Sequence, residues 1–312
     1  MTPLKLHGVV GTPVTPFDAG GGLDTETFET LIGFLLDTSV DAVALPMHIG
    51  ESLNLTATER KRVAELAAGV IAGQVPLLVN VSCAGTDEAI DLARHAEHVG
   101  AAGLVLLTPY YWRPPAAALV EHFAAVADSV GIGLVAYSSP THMGVEISLD
   151  VVAELIDRLD NFVALKDASF NMEYFTELCR VTRELRPEFA TFTGVEHLLP
   201  STVVGGSGCF SAAGAVAPVL VRRLYDACSA RNLDEARELQ YEFSRLYQVI
   251  QAGYPAAIKA AMGLMGRPVG GTRRPLPSLT AEETARLAAR LDEMPFLERE
   301  PRGWEFARGL AR

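Results

Sequence analysis

The sequence of 312 residues has few cysteines, and no two of them lie close together. Cys83, Cys179, Cys209 and Cys228 form no CxxC motif, which argues against both a zinc knuckle and a disulfide framework. No apolar stretch approaches the ~18–20 residues that a membrane span needs, and residues 1–11 lack the basic and apolar regions of a signal peptide. We therefore expect a cytoplasmic protein with four reduced core thiols and no membrane contact.

Basic residues are also scarce. The chain has 26 Lys and Arg against 38 Asp and Glu, a net charge of −12, and no run of basic residues that could follow a phosphate backbone. This balance argues against nucleic acid as a partner. Lysine is rarer still, since the cations are mostly arginines, and the four lysines are Lys5, Lys61, Lys166 and Lys259. Each lysine therefore needs an explanation.

A repeated pattern of a short apolar run followed by an amphipathic stretch predicts the fold. The runs do not alternate between apolar and polar residues, as expected for parallel strands covered on both faces. Eight such units predict a (β/α)₈ TIM barrel over residues 1–229, with an open doubly wound sheet as the alternative. The predicted strands are 8–11, 42–46, 77–81, 103–107, 133–137, 162–166, 190–194 and 208–211.

After residue 229 the strand signal disappears. Residues 230–312 are predicted to form a C-terminal helical domain and tail, with helices at 233–252 and 256–265. Capping boxes at Thr56 to Glu59 and Thr280 to Glu283 predict two helix starts, the second leading to about Leu291. Residues 295–312 mix charges with aromatic residues and are predicted either to dock on a neighbour or to fray.

The polar residues that end the strands are the candidates for chemistry, because a barrel places its site at the C-terminal ends of its strands. Lys166 ends an apolar run, and apolar surroundings lower the pKa of a lysine and leave a free amine that can attack a carbonyl. The alternative is a structural lysine paired with Asp167. Tyr137 ends the preceding strand and could shuttle a proton, or could be a buried tyrosine with one backbone bond.

The remaining motifs are weaker. Lys61 is expected on a helix surface, and Lys259 could support packing between subunits. His95 and His98 are spaced i, i+3 rather than the i, i+4 of zinc proteases, so we predict a solvated helix face and no metal site. The glycines at 205–208 match no dinucleotide fingerprint. Arg273 is expected at the junction of barrel and appendage without an assigned role.

A set of motifs in this order resembles the dihydrodipicolinate synthase and N-acetylneuraminate lyase family. The resemblance extends from the first strand into the helical appendage. The segments that carry it are GTPVTPFD at 11–18, GES at 50–52 with LT at 55–56, PYY at 109–111, YSSP at 137–140, LKDAS at 165–169, GCFS at 208–211 and YPAAIK at 254–259.

The resemblance implies a class I pyruvate-dependent lyase that needs no cofactor. Lys166 matches the lysine that forms an imine with pyruvate or a related 2-oxo acid, which then adds to an aldehyde, and Tyr137 matches the family's proton shuttle. Tyr111, with Tyr110 as the next candidate, matches a tyrosine that reaches the site of the facing subunit. The match therefore implies a homotetramer made of two dimers. The resemblance also places Ile49, Gly50, Ser138, His142 and Phe210 in substrate binding.

Three departures from the family pattern bear on the substrate. Residues 47–51 read MHIGE, without the two threonines usual there. The backbone N–H groups of His48 and Ile49 could still bind a carboxylate, and His48 could replace the lost hydroxyl as a proton carrier or could shape the pocket for a different second substrate. His142 stands where an arginine grips aspartate semialdehyde, which weakens the case for the lysine-biosynthetic reaction. Phe210 is bulkier than the usual residue.

These observations rank the candidate functions. Aldol cleavage or condensation of a pyruvate-derived 4-hydroxy-2-oxo acid comes first. Dehydration of a 2-keto-3-deoxy sugar acid comes second, and 4-hydroxy-tetrahydrodipicolinate synthesis third. A protein of another class, which binds a 2-oxo acid without turnover, remains the alternative to an enzyme.

Overall fold

Eight parallel strands close into a barrel in the computed structural model, which describes residues 4–305. Each strand pairs with the next along the chain, and β8 pairs with β1. The predicted (β/α)₈ barrel is confirmed. The strands are β1 (Gly8–Gly11), β2 (Ala42–Leu45), β3 (Leu77–Asn80), β4 (Gly103–Leu107), β5 (Gly133–Ser138), β6 (Phe162–Asp167), β7 (Ala190–Gly194) and β8 (Gly208–Ser211).

Burial on both faces explains why the strands read as apolar runs. All strand residues except Val163 are buried, because helices cover the outside of the barrel and side chains fill its inside. The predicted strands end within one residue of the observed ones. The differences are that β2 and β3 are one residue shorter and that β5 and β6 continue to Ser138 and Asp167.

The helices that surround the barrel begin where local capping predicts them. The Thr56 hydroxyl accepts a hydrogen bond from the backbone N–H of Glu59, and the Glu59 carboxylate accepts one from the backbone N–H of Thr56. Helix α2 starts directly after Thr56. The helices of the barrel are α1 (Thr25–Asp37), α2 (Ala57–Ile71), α3 (Thr86–His98), α4 (Ala116–Ala127), α5 (Pro140–Met143), α6 (Leu149–Arg158), α7 (Met172–Leu185), α8 (Leu198–Val203) and α9 (Pro218–Ser229).

Three further helices follow the barrel, as the sequence predicts. These are α10 (Leu233–Gln251), α11 (Ala256–Leu264) and α12 (Ala281–Asp292), and the predicted capping box at Thr280 and Glu283 starts the last of them. Helix α10 packs against α9 and α8 of the barrel. The division into a barrel and a separate domain at residue 229 stays a prediction.

The segment after α12 lies on the barrel of its own chain. A short 3₁₀ helix (Pro295–Arg299) leads to Glu300, whose carboxylate accepts from the N–H groups of Val219 and Leu220 at 2.9 and 2.7 Å. The Trp304 ring packs edge-on against Phe34, with centroids 5.9 Å apart. The prediction that this segment docks on a neighbour or frays is therefore wrong up to residue 305, because its apolar side chains find partners within the chain. Residues 306–312 lie outside the described part.

The cysteines are reduced and lie in the core, as the sequence predicts. All four cysteines are free and buried, and burial raises the pKa of each thiol. In the described range 4–305, no helix is long and apolar enough to cross a membrane.

Candidate active site

A cavity opens at the C-terminal ends of the strands, where a barrel of this kind carries its chemistry. Its volume is about 130 Å³. Lys166 and Tyr137 lie on the barrel side of the cavity, and Phe210 forms an apolar wall beside them. The opposite wall comes from the C-terminal helices, through Tyr247 of α10 and Tyr254 just before α11. Barrel and appendage together therefore enclose the site.

Lys166 lies directly over Tyr137. The two residues are register partners in the neighbouring strands β6 and β5, and both side chains enter the cavity. The Nζ atom of Lys166 lies 3.9 Å from the centroid of the Tyr137 ring, and the residue is only 8% exposed. This arrangement places an amine beside a phenol in a nearly dry setting.

Asp167 does not pair with Lys166, contrary to the structural alternative. Its carboxylate accepts instead from the N–H and the hydroxyl of Ser169, at 3.0 and 2.9 Å. Successive residues of a strand point to opposite faces, so Asp167 faces away from the cavity that Lys166 enters. Within the described residues Lys166 forms no ion pair with a carboxylate.

The turn after β2 supplies backbone donors next to this pair. Gly50 N–H donates to the carbonyl of Met47 at 3.0 Å, and the Thr15 hydroxyl donates to the Gly50 carbonyl at 2.6 Å. These bonds fix the turn. Across residues 4–305 the N–H groups of His48 and Ile49 donate to no protein acceptor, and both residues line the cavity. Two donors are thus available for an anion.

Gly50 itself is a turn residue rather than part of the cavity wall. A side chain there would have its Cβ 3.2 Å from the carbonyl oxygen of Pro13 and 3.3 Å from the Thr15 hydroxyl, so a larger residue would push the turn apart. Its own N–H is already bonded within the turn. Gly50 therefore affects the site indirectly, because its lack of a side chain allows the tight turn that positions the N–H groups of His48 and Ile49.

His48 and His142 face each other at the cavity mouth. Their ring centroids are 5.0 Å apart, and the Ser139 hydroxyl lies 3.1 Å from Nδ1 of His142. Tyr254 packs against the other side of His48 at 5.2 Å. Although His48 keeps an exposed edge, burial lowers its pKa to about 4, with further lowering by the charges of His142 and Lys166. His48 is therefore neutral at pH 7.

The predicted residues that follow β4 and the one that ends β5 lie in different places. Tyr110 donates its hydroxyl to the Ser82 carbonyl at 2.6 Å and lines a smaller cavity beside Tyr137. Tyr111 is 89% exposed, with a backbone φ of 69°, and does not reach the cavity of its own chain. Ser138 is fully buried and absent from the cavity wall, because it follows Tyr137 and points to the opposite face of the strand. The prediction that Ser138 binds substrate is not matched by this position.

Sequence reasoning missed several residues of the cavity. Glu196 follows β7 in a 3₁₀ turn, and its carboxylate lies over Gly194, where any Cβ would be only 2.2 Å away. Its place after a strand end was a signal that could have identified it. Tyr247 and Gln251 of α10 and Tyr254 before α11 gave no such signal, since only tertiary packing brings these segments to the barrel mouth. Burial keeps the pKa of Tyr254 well above its usual range.

The candidate histidine pair on α3 does not gather ligands. His95 lies 3.1 Å from the carboxylate of Glu65 through Nε2, on an open helix face. Over the described range 4–305, no group of three or more His, Cys, Asp or Glu side chains could hold a metal ion. Lys61 also pairs at the surface, with Asp91 at 2.6 Å, as the sequence suggested.

Comparison with known proteins identifies the family of the chain. The sequence pattern of the dihydrodipicolinate synthetase family matches residues 5–294. The chain belongs to this family. A 4-hydroxy-tetrahydrodipicolinate synthase from Methanosphaerula palustris is 35% identical over 286 residues, which are 90% of this chain and 97% of that protein. As a family member, the chain is a lyase of the pyruvate-dependent class I aldolase type.

Solved structures of this family have the same fold. Dihydrodipicolinate synthase from Aquifex aeolicus superposes with a TM-score of 0.87 at 31% identity, covering 94% of this chain and 99% of that one. A prophage protein of the dihydrodipicolinic acid synthase family from E. coli K12, solved in complex with pyruvate, gives a TM-score of 0.89 at 29% identity, covering 93% and 99%. The barrel and the C-terminal helices are therefore common to these lyases.

Proposed function

We propose that the protein uses Lys166 to form a Schiff base with pyruvate and joins it to an aldehyde, or cleaves the corresponding 4-hydroxy-2-oxo acid. The position of Lys166 over Tyr137 supports this proposal more than any other observation, since the amine lies 3.9 Å from the ring without an acidic partner among the described residues. An amine that carries no ion pair loses no partner when it becomes neutral and attacks a carbonyl.

The reaction follows from ordinary imine chemistry. The Lys166 amine attacks C2 of pyruvate, Tyr137 gives a proton to the departing hydroxyl, and water leaves. The protonated imine then withdraws electrons, so the methyl group loses a proton to the Tyr137 phenolate left by that step, and an enamine forms. The enamine carbon attacks the aldehyde to form the new carbon–carbon bond, and Tyr137 returns the proton to the aldehyde oxygen. Water then hydrolyses the product from Lys166. The imine is itself the electron sink, so the proposal requires no cofactor.

The turn after β2 is the proposed carboxylate site. The N–H groups of His48 and Ile49 have no protein acceptor in the described chain, and both residues line the cavity that Lys166 enters. Paired backbone donors bind an anion independently of the side chains that carry them. The loss of the two family threonines therefore leaves pyruvate binding intact and removes only hydroxyl groups from the proton path.

The opposite wall favours a hydroxylated aldehyde without a second carboxylate. Among residues 4–305 the lining contains no arginine and no lysine besides Lys166, so this part of the chain offers no further fixed cation to bind a second carboxylate. Glu196 would repel such a group, whereas its oxygens and the amide of Gln251 can bond with hydroxyl groups. We therefore rank aldol chemistry above 4-hydroxy-tetrahydrodipicolinate synthesis, the activity that names some of the relatives.

Dehydration of a 2-keto-3-deoxy sugar acid is the second candidate. The same hydroxyl-binding wall of Glu196 and Gln251 suits a sugar acid. His48 at the mouth can accept a hydrogen bond from a hydroxyl in its neutral form. The two reactions differ in their products, because aldol cleavage releases pyruvate and dehydration releases only water.

The assembly is proposed to complete the site. Tyr111 is 89% exposed beside Trp112, with ring centroids 5.2 Å apart, and Leu53 is a further exposed apolar side chain near the mouth. An exposed aromatic group of this kind suits contact with a second copy of the chain. We propose that Tyr111 enters the facing subunit's site within a homotetramer. The cytoplasmic location stays a prediction of the sequence.

A paired aldehyde assay tests the substrate class. Purified protein would be given pyruvate with glyceraldehyde, which carries hydroxyls, or with succinic semialdehyde, which carries a carboxylate, and the loss of pyruvate would be followed. We expect kcat/KM to be at least about tenfold higher with glyceraldehyde, a difference of ~1.4 kcal/mol in the transition state. A preference for succinic semialdehyde would overturn the assignment of the second wall.

A matched variant separates the wall from the rest of the site. Glu196→Gln keeps the size of the side chain but removes its charge, so it should reduce the difference in kcat/KM between glyceraldehyde and succinic semialdehyde. Incubation with a 2-keto-3-deoxy sugar acid distinguishes the second candidate. A product that has lost water and released no pyruvate would favour the dehydratase.

A further inference from the structure

Glu51 holds a strained position directly after the candidate carboxylate-binding turn. Its backbone φ is 55°, in the left-handed region that residues with a side chain seldom adopt. The residue is 3% exposed. Such a conformation persists only where the surroundings fix it, and it is concentrated at functional sites.

The side chain of Glu51 is held by the C-terminal part of the chain. Its Oε1 lies 2.7 Å from Nζ of Lys259 on α11, and the two side chains are 0% and 1% exposed. Its Oε2 accepts from the backbone N–H of Arg273 at 2.9 Å and from Asn54 at 3.2 Å. The carboxylate is therefore bonded on both sides.

Lys259 has no place at a subunit surface, so the expectation that it packs between subunits is wrong. It is buried because its Nζ donates to the Gly271 carbonyl at 2.7 Å and lies 4.3 Å from the Phe17 ring. Burial lowers the pKa of Lys259, and the bond to Glu51 opposes that shift. The carboxylate of Glu51 therefore stabilises the charged form of Lys259.

The pair connects two parts of the cavity wall. At one end, His48 and Ile49 line the cavity and are separated from Glu51 only by Gly50. At the other end, Tyr254 and Ile258 line it on the segment that carries Lys259. A buried ion pair is seldom the most stable filling of an interior, since apolar residues of similar size do as well, but it requires one specific arrangement. The position of the Glu51–Lys259 pair favours a role in holding these two parts of the cavity wall in a fixed arrangement.

We propose that Glu51 and Lys259 are positioning residues that hold the turn so that the N–H groups of His48 and Ile49 bind the carboxylate of the 2-oxo acid at Lys166. The proposal depends on the function proposed above. It makes the helical appendage part of substrate recognition, because α11 fixes a loop of the barrel. Neither residue touches the substrate.

The test compares two methyl ketones that differ in the group beside the carbonyl, which is a carboxylate in one and a neutral hydroxymethyl group in the other. Pyruvate carries the carboxylate, whereas hydroxyacetone presents a ketone to Lys166 without one. Trapping by borohydride, followed by mass spectrometry, gives the rate of adduct formation with each. Lys259→Met should lower the rate with pyruvate about tenfold or more and raise its KM, while the rate with hydroxyacetone changes little. Lys61→Met is the matched control, since Lys61 pairs at the surface with Asp91.

Two results of this test would contradict the positioning role, and a third would contradict the proposed function. Equal rates for Lys259→Met and the wild type with pyruvate, or an equal loss with both compounds, would overturn the positioning role. If Lys259→Met does not fold, the double variant Glu51→Gln with Lys259→Met, which removes both charges, gives the same comparison. Lys259→Arg keeps the positive charge beside Glu51 and should retain most of the wild-type rate with pyruvate. Absence of any adduct in the wild type would instead overturn the proposed function.

Discussion

At the scale of single residues, the sequence predicts a role for Lys166 but not for Lys259, the other buried lysine of the described chain. Lys166 could be predicted because it ends an apolar strand, and the strand pairing places it beside Tyr137. Lys259 could not, since its partner Glu51 lies far away in the sequence and only folding buries the pair. The local sequence pattern is enough to predict which side chain ends a strand, whereas a buried ion pair between distant residues depends on tertiary packing.

His48 is the residue whose role is most open to a direct test. Because its pKa is lowered to about 4, the ring is neutral above pH 5 and can pass a proton but cannot supply a fixed charge. If it is the relay, His48→Ala should lower kcat by roughly 10²-fold, the lower range for general acid–base catalysis, while imine formation with pyruvate changes little. Stopped-flow trapping and steady-state kinetics measure the two rates.

His142→Ala is the control, as it removes the neighbouring ring and leaves His48 in place. The pKa of His48 lies far below 6.5, so kcat of the wild type and of His48→Ala should depend on pH in the same way around pH 6.5. Unchanged turnover in His48→Ala would leave only a pocket-shaping role for this residue.

At the scale of elements, strands and caps were predictable and contacts between distant helices were not. The strand β6 reads as an apolar run because both of its faces are covered, and the capping box at Thr56 fixes the start of α2 within four residues of sequence. The docking of α10 on the cavity, and of the segment around Glu300 on α9, depends on side chains that meet only after folding.

Glu300 makes the stability of this segment depend on pH. Burial raises its pKa to about 7 although it accepts two bonds from the first turn of α9. The folded protein therefore binds this proton more tightly than the unfolded chain, so the free energy of unfolding falls as pH rises from about 4.5 to about 7, by up to ~3 kcal/mol. Glu300→Gln should remove this decline, which urea unfolding at pH 5, 6, 7 and 8 would measure.

The contribution of Glu300 has a clear counter-result. A variant that keeps the wild-type decline between pH 5 and 7 would show that another group is responsible. Glu298→Gln is a suitable control, because it changes a neighbouring carboxylate on the same 3₁₀ helix that makes no described bond to α9.

At the scale of the whole molecule, the barrel mouth is closed by the chain's own C-terminal helices on one side and left open near Tyr111 on the other. Tyr247 and Tyr254 close the first side, while Tyr111 and Trp112 project outward. The closed side could not be predicted from the sequence, whereas the outward tyrosine follows from the resemblance alone. A partner subunit would complete the open side.

Mixing two inactive variants tests the shared site. Lys166→Ala has no nucleophile, and Tyr111→Phe has no hydroxyl to lend to its partner. When equal amounts are unfolded together and refolded, a mixed dimer contains one complete site, so activity should recover to about a quarter of the wild-type value. Activity that stays at the level of the separate variants would show that Tyr111 does not act across subunits.

The central claim is that Lys166 forms a covalent imine with a 2-oxo acid. Borohydride reduction in the presence of pyruvate, followed by peptide mass spectrometry, tests it most directly, and the small number of lysines makes the adduct easy to assign. We predict a reduced pyruvyl adduct on the peptide that contains Lys166 and none in Lys166→Ala. No adduct, or an adduct confined to Lys5, Lys61 or Lys259, would contradict the account.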